Sequence, residues 1–132
     1  ALSVPAAAQS QTVKSEKHDF RVVTLVRGLQ NPWAMAFLPE GRMLVTERAG
    51  RLRIVNKDHS LDPKPVEGLP EIVASGQGGL LDVVLHPQYD KNGWIYWSYN
   101  APGPGGWGTA MARGKLQGQR ITEVQVLFSM EP

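Results

Sequence analysis

Two stretches of the sequence repeat the same order of apolar runs, turns and charged strands. Trp33–Leu38 and Leu80–Leu85 are apolar runs that each end beside a proline, and these prolines, Pro39 and Pro87, are 48 residues apart. A period of about 40–50 residues with four short strands per unit is typical of the blades of a β-propeller. The repeat therefore predicts an all-β fold made of blades. The segments that follow the two prolines also correspond: Gly41–Thr46 and Gly93–Ser98.

Polarity changes from strand to strand within each unit. Trp33–Leu38 is apolar throughout, which predicts an innermost strand that neighbouring blades bury on both faces. Arg51–Asn56 alternates charged and aliphatic residues and is predicted to be a half-buried outer strand, with Glu71–Val73 as a short strand outside it. Further strands are expected at Phe20–Arg27, Arg42–Glu47, Leu80–Leu85, Trp94–Tyr99, Thr109–Arg113 and Val124–Phe128, with loops at residues 57–70, 88–93 and 101–108.

Ring closure adds an expectation, because propellers have about 4–8 blades and two blades cannot form a ring. An open pair would leave an apolar face and a strand edge exposed. Residues 20–132 are therefore expected to be the first two blades of a larger propeller, with the extra strand at Phe20–Arg27 completing a last blade. A small two-sheet β-sandwich built from these strands alone is the alternative fold.

The N-terminal segment, residues 1–19, differs from the rest of the chain. Ala1–Ala8 is small and apolar, and Ala6-Ala7-Ala8 satisfies the A-x-A rule of signal peptidase. This pattern predicts the remnant of an export signal, cleaved before Gln9, and a periplasmic location; a low-complexity disordered end is the alternative. Residues 9–19 are polar and lack periodicity, so they are predicted to be a flexible leader.

Charge and cysteine content exclude several functions. The chain has no cysteine, which excludes disulfides, thiolate catalysis and cysteine-based metal sites. Its 14 Lys and Arg residues are scattered among 12 acidic residues and give a net charge of +2, so no nucleic-acid interface is predicted. No apolar run is long enough to span a bilayer.

A glycine-rich segment, Gly76–Asp82, is the strongest candidate for a binding site. Three glycines surround Gln77 just before the apolar strand that begins at Leu80. Glycine lets the backbone approach a flat ligand closely, and the amide of Gln77 can donate to and accept from the oxygen atoms of a ligand. In a propeller this turn would lie at the mouth of the central channel. A tight turn with a solvated glutamine explains the same residues equally well.

Most other polar and aromatic residues are predicted to be structural. His18, His59 and His86 have no carboxylate partner at metal or triad spacing, and His86 is expected to be satisfied by a loop carbonyl. Asp90–Gly93 lacks most ligands of a calcium loop and is predicted to be a turn. Asp82 is expected to bond neighbouring backbone amides or to face the channel. Five aromatic residues could stack sugars but are more typical of blade packing: Trp94, Tyr96, Trp97, Tyr99 and Trp107.

Several segments together resemble the soluble glucose/sorbosone dehydrogenase family, especially its periplasmic aldose sugar dehydrogenases: Gly28–Gly41, Leu44–Leu52, and Gly76–Val83 with His86-Pro87. The resemblance spans about residues 20–132. It implies a six-bladed propeller that binds pyrroloquinoline quinone (PQQ) and Ca²⁺. It also implies oxidation of the anomeric carbon of aldose sugars to lactones, with electrons passing to an external acceptor. In the family the Gln of this Gly-Gln-x-Gly turn contacts PQQ, which assigns Gln77 to the cofactor.

The resemblance assigns no catalytic residue and no metal ligand to this chain. The family's catalytic histidine lies in a His-x-Gly-x-Arg segment after the second blade, and this sequence contains no such segment before Pro132. The chain alone is therefore expected to be inactive. Two other functions stay open: a non-catalytic propeller repeat that acts as a binding or scaffold module, and a calcium-dependent lactonase. The lactonase would need a channel lined with carboxylates, for which only Asp82 is available.

Overall fold

The structure, a computed structural model, describes residues 10–131 as three antiparallel sheets. We call the sheet β1-β2 the N-terminal hairpin, the sheet β3-β4-β5 blade 1 and the sheet β6-β7-β8-β9 blade 2. The strands are β1 Ser10–Val13, β2 Phe20–Val23, β3 Pro32–Phe37, β4 Met43–Glu47, β5 Arg51–Val55, β6 Leu80–Leu85, β7 Trp94–Gly103, β8 Gly106–Gln117 and β9 Arg120–Ser129, with one short helix, α1 Tyr89–Asn92.

The internal repeat is reproduced by an irregularity in the inner hairpin of each blade. The register between β3 and β4 breaks between Pro32 and Met35. The register between β6 and β7 breaks between Leu80 and Val83, 48 residues later in both cases. A β-bulge at the same place in two sheets is a built-in feature of a repeated unit. The two sheets are therefore equivalent blades.

The outer edge of blade 1 differs from the sequence prediction. Glu71–Val73 forms no strand. The segment 61–66 lies along β5 instead, where Asp62 N–H donates to Ile54 O at 2.9 Å and Val66 N–H donates to Leu52 O at 2.8 Å. The prolines at positions 63 and 65 have no N–H group, so the pairing is interrupted and the segment forms no regular strand.

The main core lies between the two blades, where β6 packs against β3 and β4. Its largest fully buried apolar side chains come from both blades: Leu44, Leu52, Ile54, Leu80, Val83 and Ile95. Burying one such side chain contributes about 1.5–3 kcal/mol, so this interface accounts for much of the stability of the pair.

The inner strand β3 is buried on one face only, which corrects the prediction of burial on both faces. Ala34 and Ala36 pack against the core. Trp33, Met35 and Phe37 alternate with them and are 56%, 49% and 68% exposed. Successive side chains of a strand point to opposite faces, and within residues 10–131 only one face of β3 is covered by a neighbouring blade.

The N-terminal segment is also more regular than predicted. Ser10–Val13, placed in the flexible leader, pairs with β2 through four residue pairs from Ser10↔Val23 to Val13↔Phe20. Its side chains are mostly exposed, so the pairing rests on the backbone and leaves no hydrophobic pattern in the sequence. The predicted export-signal remnant and its cleavage point before Gln9 lie outside the described residues. No helix within residues 10–131 is long and apolar enough to cross a membrane.

The strands β7 and β8 extend through the segment that was predicted to be a Gly/Pro loop. Their pairing continues to Pro102↔Trp107 and Gly103↔Gly106. The loop at residues 101–108 is therefore wrong, and a short turn joins the two strands. Gly105 has a φ of +80°, a conformation that glycine adopts at little cost, so the glycines close the hairpin rather than break the strands.

Candidate functional site

Gln77 lies at the tip of a tight turn that leads into β6. Gly78 N–H donates to Ser75 O at 2.8 Å and closes the turn. Gly76 precedes Gln77 with a φ of +57°, the left-handed conformation that favours glycine. The side chain of Gln77 is exposed. The structure thus presents one amide, with free donors and acceptors, on a turn of defined shape.

Two glycines of this turn are required by contacts with the protein itself. A Cβ atom at position 78 would come within 1.6 Å of Asn100 Nδ2, and one at position 79 within 1.9 Å of Arg48 O. The sequence prediction gave these glycines the task of admitting a flat ligand. In the structure Gly78 and Gly79 admit Asn100 and Arg48 on the inner side of the turn, which presses the turn against the blades.

Arg48 joins three segments at this end of the two blades. Its Nη1 donates to Gly76 O at 2.5 Å and is 3.5 Å from Gly78 O. Its backbone N–H donates to Asn31 O, and its carbonyl accepts from Leu80 N–H, both at 3.1 Å. The sequence analysis did not single out Arg48, because a lone arginine after a strand carries no motif of its own.

Asn100 supports the same turn from the second blade. It is 3% exposed, its N–H donates to Gly79 O at 2.9 Å, and its carbonyl accepts from Val73 N–H at 2.9 Å. Its side-chain Nδ2 is buried and has no hydrogen-bond partner among the described residues. An unpaired buried donor is costly and uncommon, so this amide marks the inner side of the turn as a place with unused hydrogen-bonding capacity.

Glu47 is a fully buried carboxylate beside Arg48. It accepts from Arg51 Nε at 2.8 Å and from Arg53 Nη1 at 3.1 Å, and also from the backbone N–H of Gln30. Burial alone would raise the pKa of Glu47, but the hydrogen bonds from Arg51, Gln30 and Arg53 outweigh it and lower the pKa. Glu47 is therefore charged and engaged on several sides, which gives it a structural role and leaves it no free lone pair for a substrate.

His86 is structural, although its partners are not those predicted. Its Nδ1 is 2.9 Å from Gln88 N–H and 2.9 Å from Asn92 Nδ2, and its ring stacks on Tyr96 with 6.0 Å between centroids. A backbone N–H can only donate, so Nδ1 accepts and the proton of the neutral ring lies on Nε2. The predicted carbonyl partner is thus replaced by amide donors. Asp90–Gly93 forms the end of α1 and its cap, a turn as predicted.

Asp82 bonds a neighbouring backbone amide, one of the two roles that the sequence predicts. Its Oδ1 accepts from Val83 N–H at 2.9 Å, and the carboxylate is exposed. With Ser98 and Met111 it lines a shallow cavity of about 180 Å³ on the uncovered face of blade 2. This cavity does not include Gln77, so the structure does not bring the two residues into one site.

The aromatic residues of blade 2 mostly pack within the sheet. Trp97 and Tyr99 are each 2% exposed. Trp94 lies beneath the cations of Arg113, at 4.0 Å, and Lys115, at 4.8 Å. Within residues 10–131 no group of three or more His, Asp or Glu side chains is placed to hold a metal ion. The described residues therefore offer a binding turn at Gln77, without an acid–base pair or a calcium cage beside it.

Comparison with known proteins identifies the family. The family model for Glucose / Sorbosone dehydrogenase matches residues 29–132. Aldose sugar dehydrogenase YliI of Escherichia coli is 37% identical over 133 residues, which covers 98% of this chain and 36% of that protein. A crystal structure of glucose dehydrogenase matches with a TM-score of 0.74 at 43% identity, covering 80% of this chain and 31% of the other.

A more distant structure shares the fold. The PQQ-bound aldose sugar dehydrogenase of Streptomyces coelicolor matches with a TM-score of 0.69 at 23% identity, over 98% of this chain and 36% of that one. These matches confirm the β-propeller fold, so the β-sandwich alternative is wrong. The chain spans about a third of the length of these relatives. The chain belongs to the glucose/sorbosone dehydrogenase family.

Proposed function

We propose that this chain supplies the first two blades of a PQQ-dependent aldose sugar dehydrogenase, which oxidises the anomeric carbon of aldoses to lactones. The proposal is supported by the family match over residues 29–132 and by relatives named as aldose sugar and glucose dehydrogenases. One solved relative is described as PQQ-bound. When bound, PQQ supplies a quinone that accepts a hydride from the sugar. We include in the proposal export to the periplasm, Ca²⁺ beside the cofactor and transfer of electrons to an external acceptor.

The observation that carries the proposal for this chain is the exposed amide of Gln77 on a turn fixed from behind. Gly78 and Gly79 leave no space between the turn and Asn100 and Arg48, so the turn has a firm base. The Gln77 amide can donate to a quinone or carboxylate oxygen of PQQ and orient it. The buried, unpaired Nδ2 of Asn100 and the cation of Arg48 add positive potential there, which fits an anionic cofactor.

The described residues do not supply the rest of the reaction. Oxidation of the anomeric centre releases a hydride to the cofactor and a proton to a general base. Among residues 10–131, His86 has its Nδ1 occupied by amide donors, and Glu47 is held by two arginines. We therefore propose that the base and the Ca²⁺ ligands lie outside this chain and that the chain alone does not turn over sugar.

The test is a titration of PQQ into the complete protein and its Gln77→Ala variant, followed by cofactor fluorescence quenching. One lost hydrogen bond of about 1 kcal/mol weakens binding roughly fivefold. Gln117→Ala, an exposed glutamine at the end of β8, is the matched control and should bind PQQ as the parent does. An unchanged dissociation constant for Gln77→Ala would count against the cofactor contact and favour a non-catalytic scaffold. Sugar oxidation by residues 1–132 alone, with PQQ and Ca²⁺ added, would contradict the proposed division of the site.

A further inference from the structure

The turn that carries Gln77 has little conformational preference of its own. Three of its residues are glycines, which populate both halves of backbone conformational space. A Cβ atom at Gly76 would meet no atom within 4 Å, so no packing restrains that residue. Gln77 itself is exposed. The order of the turn must therefore come from hydrogen bonds made to it by other segments.

The two ends of the turn are held differently. At the β6 end, Gly79 is enclosed by Arg48 O, and its carbonyl accepts from Asn100 N–H. At the other end, the carbonyl of Gly76 accepts from the guanidinium of Arg48 at 2.5 Å, and the same Nη1 is 3.5 Å from Gly78 O. These two carbonyls flank Gln77 on either side in sequence. The guanidinium thus fixes the orientation of the peptide units around the exposed amide.

The guanidinium acts from a fixed point. The backbone of Arg48 is tied to Asn31 O on blade 1 and to Leu80 N–H on blade 2. The side chain is partly buried, so its hydrogen bonds compete less with water than those of a free surface arginine. A charged donor also forms stronger hydrogen bonds than a neutral one.

We propose that Arg48 is a positioning residue for Gln77: it clamps the carbonyls of Gly76 and Gly78 and so holds the Gln77 amide ready to bind the cofactor. The link to cofactor binding rests on the function proposed above, whereas the clamp itself does not. Without the guanidinium, the turn bond from Gly78 N–H to Ser75 O remains, but the turn becomes mobile. Gln77 then loses conformational entropy when PQQ binds, which lowers affinity without removing any contact to the cofactor.

The clamp is tested first in the cofactor-free complete protein by amide hydrogen exchange of the peptide covering residues 75–80. We expect Arg48→Met to speed exchange at Gly78 about tenfold, because local opening loses a charged hydrogen bond. Arg48→Lys retains the charge without the planar fork and should lie between Arg48→Met and the parent. Arg120→Met, which removes an exposed pair with Glu67, is the control and should leave this peptide unchanged. Unchanged exchange in Arg48→Met would overturn the clamp.

The link to Gln77 is tested by a double-mutant cycle on the dissociation constant of PQQ. We expect Arg48→Met to weaken binding about threefold to fivefold and to add little in the Gln77→Ala background, because Arg48 acts through Gln77. Fully additive effects would overturn the positioning role, since Arg48 would then act on the cofactor independently. If Gln77→Ala itself has no effect, the proposed cofactor contact fails, and the exchange experiment still decides the clamp.

Discussion

The inner hairpins of blade 1 and blade 2 share a backbone register and end in different chemistry. Glu47 in β4 and Tyr99 in β7 lie 52 residues apart, pair with equivalent residues of the neighbouring strand, and are 0% and 2% exposed. Glu47 binds two arginines and the Gln30 backbone, whereas Tyr99 packs within the apolar core. The repeat thus retains the geometry of the strands and leaves the ends free to differ. The charged end in blade 1 leads directly to Arg48.

A second pair of positions keeps the same chemistry in both blades. Thr46 Oγ1 accepts from Ala34 N–H at 3.0 Å, and Ser98 Oγ accepts from Asp82 N–H at 3.1 Å, each within the β-bulge. Thr46 Oγ1 also donates to Leu81 O at 2.6 Å, across to blade 2. Ser98 lies on the face of blade 2 that no other sheet covers within residues 10–131. The hydroxyl serves the bulge in both blades and joins neighbouring blades in one.

The largest expected effect separates Glu47 from Tyr99. Glu47→Ala leaves Arg53, whose side chain is 11% exposed, without its carboxylate, so we expect unfolding free energy to fall by about 3 kcal/mol. Tyr99→Phe keeps the ring that packs in the core and should cost less than about 1 kcal/mol. Chemical denaturation of the complete protein measures both. Equal losses for the two variants would break the comparison.

The same pair has a predictable pH dependence. The pKa of Glu47 is lowered on folding, so its stabilising contribution is present above the pKa of the unfolded chain. That contribution is lost as the pH falls through the lower, folded-state value. The difference between the parent and Glu47→Ala should therefore shrink as denaturation is repeated at progressively more acidic pH, and a constant difference would show that the carboxylate charge is not the cause.

A smaller effect tests whether the second hydroxyl also joins two blades. Thr46→Val removes the partner of Ala34 N–H and of Leu81 O, and we expect a loss of about 2 kcal/mol. If a third blade packs on blade 2 as blade 2 packs on blade 1, Ser98→Ala should cost a similar amount in the complete protein. Thermal or chemical unfolding provides the comparison. A loss below about 0.5 kcal/mol for Ser98→Ala would show that the inter-blade bond is not repeated.

The sequence predicts the parts of the fold that depend on side-chain pattern. The bounds of β6, Leu80–Leu85, were predicted from a run of apolar residues, and those of β5 within one residue from alternating charge. The pattern fails where backbone pairing alone decides. Ser10–Val13 forms a strand with exposed side chains, and residues 61–66 take the outer edge of blade 1 despite two prolines.

The candidate site was only half predictable for a similar reason. The glycines around Gln77 announce a turn, and family resemblance assigns the glutamine to PQQ, which stays a proposal. Arg48 and Asn100 are 28 or more and 22 or more residues from Gly76 and Gly78, respectively, and meet them only in the folded blades. No local spacing can reveal such a contact. The inner-strand prediction failed because Trp33 and Met35 have an uncovered face within the described residues.

The most direct test of the account is a crystal structure of the complete protein with PQQ bound. The account predicts that the Gln77 amide lies within hydrogen-bond distance of a cofactor oxygen, about 2.7–3.2 Å, while Arg48 still holds the carbonyls of Gly76 and Gly78. A cofactor bound with no contact to Gln77, or a Gln77 turn released from Arg48 in the bound state, would contradict it.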